Sequence, residues 1–114
     1  MSFEVIWQVP ALRVFEELTA NAQASLEKRG GTGKSTKAEG LFKQVEKCID
    51  LLAANPRHPG LQTHEFLSIR NPYDEDAKVF EAYAQNRTPG AYRVFWCYGP
   101  KPRQITIIAI TPHP

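Results

Sequence analysis

The chain has 114 residues, 42% apolar and 23% charged, with 14 Lys and Arg against 12 Asp and Glu. That length holds one hydrophobic core and excludes a second catalytic domain or a repeat array, while the ordinary composition excludes a disordered or fibrous chain. Residues 1–114 therefore read as a single domain, and a net charge of +2 does not by itself mark a strong nucleic-acid binder.

Charge distribution says more than its sum. Beyond Glu81 there is no acidic residue, whereas Arg87, Arg93, Lys101, Arg103 and His113 all fall in that stretch, forming either a basic face for an anionic partner or a solvated edge. Cys48 and Cys97 belong to no Cys-x-x-Cys pair and have no clustered histidine, so neither a metal site nor a disulfide framework is expected and both should sit reduced in the core. No window approaches the roughly 18 apolar residues of a membrane span, and no basic stretch leads into an apolar run, so the expectation is a cytoplasmic protein without a membrane partner.

In chain order, Phe3, Val5, Trp7 and Val9 alternate with Glu4, Ile6 and Gln8, the pattern of a strand with one buried face. Pro10 stops it and suits a helix start. Leu12, Phe15, Leu18, Ala22 and Leu26 then step by three or four along one helical face. Gly30-Gly31-Thr32-Gly33-Lys34-Ser35 resembles the end of a phosphate-binding loop, but the position where that motif needs its first glycine is Lys28, and a helix rather than a strand precedes it. A plain helix-to-helix connection is the better reading. Thr36-Lys37-Ala38-Glu39 is a capping box, opening a second helix with Leu41, Phe42, Val45, Cys48, Ile49 and Leu52 on one face, ended by Asn55-Pro56.

Residues 61–69, 78–84, 91–98 and 104–111 are short, rich in aromatic and β-branched side chains, and separated by turn-forming clusters such as Asn71-Pro72-Tyr73-Asp74 and Gly99-Pro100-Lys101-Pro102. The expected fold is α+β: an N-terminal strand, a helical hairpin, then an antiparallel four-stranded meander, with the helices packed on one face of the sheet. The other face is then the working surface.

Within this order, the Pro56-to-His64 segment, the strand Tyr92-Arg93-Val94-Phe95-Trp96, and the strand Ile105-Thr106-Ile107-Ile108-Ala109-Ile110 running into Thr111-Pro112-His113 resemble the RelE/ParE superfamily of type II toxins. The resemblance implies a RelE-like domain held inactive by an antitoxin protein. It implies either metal-independent cleavage of ribosome-associated mRNA, needing no cofactor, or a ParE-like action on DNA gyrase without an RNase site. A non-toxic binding module of the same fold is the third alternative, and homodimer formation is compatible with each.

Cleavage of RNA without a metal needs a base for the ribose 2′-hydroxyl, cations for the phosphorane and an acid for the leaving oxygen. The resemblance assigns Arg93 to the scissile phosphate and His113 to acid–base work. His64 stands where relatives carry catalytic or orienting residues, and Glu81 is a base if it adjoins Arg93. The plainer readings are a sheet-face ion pair for Glu81 and Arg93, a structural His64 and a mobile tail for His113. Lys78, Arg57 and Arg87 are candidate phosphate contacts, and Phe95, at the parity opposite Trp96, a candidate to stack a base. Glu65, Asp74, Glu75 and Asp76 depart from the strongly basic working face of RNase relatives.

Overall fold

The computed structural model describes residues 2–86 and 89–113. Its elements are β1 (Glu4–Trp7), α1 (Val9–Lys28), α2 (Lys37–Ala54), a 3-10 turn (Pro59–Leu61), β2 (His64–Glu65), β3 (Phe80–Tyr83), β4 (Tyr92–Tyr98) and β5 (Gln104–Pro112). They form one five-stranded sheet in the order β1-β5-β4-β3-β2. The meander β2 to β5 is antiparallel as expected, and β1 adds to its far side parallel to β5, an arrangement that requires a long crossover between the two.

The helical hairpin fits one face of this sheet because every element offers its apolar residues at its own period. Ala82, Val94, Trp96, Ile105, Ile107 and Ile110 from the strands meet Ala11, Leu18, Val45, Ile49 and Leu52 from the helices, and Phe3, Val5 and Trp7 pack against the same core. The spacing from Ile105 to Ile107 to Ile110 breaks strict alternation. A bulge accounts for it: Phe95 pairs with Ala109 but Trp96 pairs with Ile107, so one extra residue on β5 returns Ile110 to the helix side.

The connection between the helices is built around Glu39. The Thr36 hydroxyl accepts from the Glu39 amide and the Glu39 carboxylate accepts from the Thr36 amide, which completes the capping box. Arg29, just past the end of α1, donates through Nη2 at 2.6 Å and Nε at 2.9 Å to the same carboxylate, and Ser25 adds a hydrogen bond at 3.0 Å. The hydrogen bonds from Arg29 hold the Glu39 carboxyl well below the usual carboxylate range. Gly30, Gly31 and Gly33 adopt φ between 62° and 73°, so the glycines serve this turn rather than a phosphate.

The strand expected over 61–69 contracts to His64–Glu65. Leu61 belongs instead to the 3-10 turn, fully buried, and Gln62 closes that turn in a left-handed conformation at φ 50° that no strand continues. After Phe66, whose amide donates to Val79 O, the chain departs into the 67–78 loop. There the buried Asn71 accepts through Oδ1 from the amides of Tyr73 and Asp74 and donates to Lys78 O. Among the described residues, no helix is long and apolar enough to cross a membrane.

Candidate functional site

Alternation along β3 and β4 sends Glu81, Tyr83, Arg93 and Phe95 to the face opposite the helices. Register then lines them up, with His64 opposite Glu81, Glu81 opposite Phe95, and Tyr83 opposite Arg93. The end of β5 supplies the last member. The His113 amide donates to Ala91 O at 2.7 Å, extending the pairing past Pro112 and fixing the segment that a mobile-tail reading would leave free.

Glu81 is the centre of the group. Its carboxylate is 1% exposed, and its two oxygens have different partners: His64 Nε2 lies 2.6 Å from Oε1 and His113 Nδ1 lies 3.1 Å from Oε2. Both imidazoles are about half exposed, at 49% and 46% of their side-chain surface. The sheet thus buries the acid and presents the two rings to solvent. His64 Nδ1 faces Gln62 O at 3.3 Å, whereas His113 Nε2 has no partner among the described residues. The His64 ring also meets Tyr83 edge-on, with centroids 5.7 Å apart.

Arg93 lies on the expected face but is not the outward-pointing phosphate contact anticipated above. It is 7% exposed, its guanidinium carbon lies 3.7 Å over the Tyr83 ring, and Nη1 donates to the carbonyls of Gln85 at 2.7 Å and Tyr92 at 3.3 Å. Nε is buried without a hydrogen-bond partner among the described residues, 3.9 Å from Glu81 Oε2. Arg93 therefore neutralises the buried carboxylate through space while the backbone and the Tyr83 face hold it.

Two further expectations are corrected by burial. Glu81 cannot take a proton directly from a substrate, because it is enclosed and each oxygen already faces an imidazole. Phe95 cannot stack a base: it is 1% exposed and covered by Phe66, with ring centroids 4.7 Å apart. Lys78 and Arg57 are exposed but line a separate cavity that includes none of His64, Glu81, Arg93 or His113. Arg87 lies outside the described residues. Sequence pattern alone does not single out Tyr83 or Phe66. Tyr83 shares the parity of Glu81, but its stacking on Arg93 follows only once the β3–β4 register is known.

With the geometry in place, comparison with known proteins is informative at the level of fold. No family model matches the sequence, and no curated protein matches it. Solved structures do. The archaeal RelE of the RelE–RelB complex from Pyrococcus horikoshii OT3 is 15% identical, with a TM-score of 0.57 over 98% of this chain and 96% of that one. The YoeB/ParE toxin from Agrobacterium tumefaciens is 10% identical, at 0.57 over 97% and 99%. YoeB from Staphylococcus aureus, solved as a dimer, is 8% identical, at 0.59 over the whole of both chains. The chain has the RelE/ParE toxin superfamily fold.

Proposed function

We propose that this protein is a metal-independent endoribonuclease toxin that cuts ribosome-associated mRNA and is neutralised by an antitoxin protein. The observation that carries the reading is the Glu81–His113 couple: a buried carboxylate facing Nδ1 of a half-exposed imidazole whose Nε2 is unpartnered among the described residues. A carboxylate on Nδ1–H fixes the tautomer that leaves Nε2 basic and favours the imidazolium formed when Nε2 takes a proton. His113 is then the group that removes the ribose 2′-hydroxyl proton, and Glu81 is its positioning residue.

His64 fills the complementary role. Its nitrogens face two acceptors, Glu81 Oε1 at 2.6 Å and Gln62 O at 3.3 Å. The shared carboxylate holds this half-exposed ring beside His113, where a phosphorane develops negative charge and a leaving oxygen needs a proton. Arg93 stabilises the ionised Glu81 from within. The RelE of the complex above was solved with RelB, which supports an antitoxin as the partner here.

The test is induction in a bacterial host of the wild type, His113→Ala, His64→Ala and Glu81→Gln, with cleavage of a defined mRNA on programmed ribosomes measured in parallel. Loss of acid–base catalysis lowers the cleavage rate by about 10²–10⁴-fold in His113→Ala. A folded His113→Ala chain that cleaves at the wild-type rate refutes the assignment. Intact mRNA together with a DNA-damage response selects the ParE-like action on gyrase instead.

A further inference from the structure

Around the sheet edge from the catalytic group, a cavity of about 520 Å³ opens between the 3-10 turn and the ends of β3 and β4. Its walls include Arg57, His58, Thr63, Lys78, Phe80 and Tyr98, with no carboxylate among the described wall residues. Three features mark it as built for a ligand. Tyr98 keeps 45% of its surface exposed although it is held edge-to-face by Trp96 and Phe80, at centroid distances of 4.9 and 5.9 Å. That leaves a pre-set, half-exposed aromatic ring in the cavity wall. Arg57 and Lys78 supply positive charge from the turn that follows α2 and from the end of the 67–78 loop. Among the described residues Lys78 reaches the exposed Glu65, at 3.9 Å, a contact too weak to commit it. The Thr63 hydroxyl, a further wall group, is buried without a hydrogen-bond partner among the described residues.

An aromatic platform beside paired cations, in a cavity of small-ligand size, is the combination that binds single-stranded nucleic acid: the ring stacks a base and the cations take the phosphate. Placement supports it. Thr63 and Phe80 border the cavity, while their chain neighbours His64 and Glu81 belong to the catalytic group on the opposite face. β2 is only two residues long, so the wall between the two sites is one narrow edge.

Resting on the nuclease reading, we infer that this notch is a nucleotide subsite for the RNA strand next to the scissile linkage. The base lies on Tyr98, the phosphate lies between Arg57 and Lys78, and the strand passes round β2 to reach His64 and His113.

The experiment uses the full chain and a 5′-fluorescein 2′-O-methyl hexanucleotide, which lacks the nucleophile and cannot be cut, with binding followed by anisotropy over a salt series. Tyr98→Ala and the double variant Arg57→Ala, Lys78→Ala weaken binding at least tenfold, and Tyr98→Phe restores it. Removing both cations lowers the slope of log K against log salt by about 0.7, the value for one phosphate contact on a single strand. Circular dichroism identifies any variant that fails to fold, and for such a variant a 4-thiouridine crosslink mapped to Tyr98 in the wild type is the deciding measurement. Equal affinity in folded variants, or a crosslink mapped elsewhere, overturns the subsite. So does equal competition by a hexaglutamate peptide, which would make the notch a groove for acidic protein segments. Cleavage abolished by His113→Ala alongside unchanged oligonucleotide binding in the notch variants removes the subsite and leaves the nuclease. Notch-dependent binding with no cleavage by the wild type removes the nuclease and leaves the notch as an RNA site.

Discussion

The buried pairing of Glu81 with Arg93 makes the sharpest energetic prediction. At 3.9 Å, and with an effective dielectric constant of about 20, the attraction between the two charges is about 4 kcal/mol. Removing either partner takes a counter-charge from the other, although Glu81 keeps its two imidazoles and Arg93 its backbone carbonyls, which holds the cost to about 3 kcal/mol. Glu81→Gln and Arg93→Met should each lower the free energy of unfolding by roughly that amount, read from urea transitions at neutral pH. The double variant should lose less than the sum by about 1–3 kcal/mol, because the second substitution removes a charge the first had stranded. Measured m-values must match across the set for the comparison to hold. Additivity within about 0.5 kcal/mol would refute the coupling, and with it the claim that Arg93 serves Glu81 rather than an external phosphate.

The other predictions concern the scaffold. Thr36→Ala removes the hydroxyl that caps α2 and should cost about 1 kcal/mol in urea unfolding, with Thr36→Ser close to wild type. Glu39 has a folded pKa below its ordinary 4.5, so its stabilisation is present above that value and is lost as pH falls through the lower, folded one. Stability of the wild type should therefore fall more steeply below about pH 4.5 than that of Glu39→Gln, as followed by circular dichroism. Burial pushes the Cys48 thiol up from 9.0 to about 12 and Cys97 to about 11. Above pH 9 the unfolded chain releases these protons and the folded chain does not, so stability falls as pH rises towards 11. Cys48→Ala should flatten that fall, and iodoacetamide at pH 8 should label both cysteines only after unfolding.

Local signals carried most of the architecture. The Thr36–Glu39 capping box, the three glycines before it and the Asn55-Pro56 stop lie where the structure ends one helix and shapes the next, because each acts within a few residues of itself. Non-local features were less legible. Nothing around residues 61–69 announces the left-handed Gln62 that cuts β2 to two residues, and the parallel pairing of β1 with β5 joins segments about a hundred residues apart. For the site, parity placed Arg93 and Phe95 on the right face but could not report depth. Tyr83, Gln85 and Phe66 cover them, and those contacts arise from register and from the 67–78 loop rather than from the strand's own pattern.

Strand order also bears on how the chain comes into being. β5 is seated between β1 and β4, so Glu4–Trp7 has no neighbour to bond with until residues 104–107 exist. A growing polypeptide holds its opening strand and both helices without the sheet that would cover them, and Glu81 waits without the ring that completes its couple. Completion of the sheet and of the Glu81 group therefore waits on residues 104–113. The Glu81–His113 couple is thus absent from any nascent segment that stops short of residue 113.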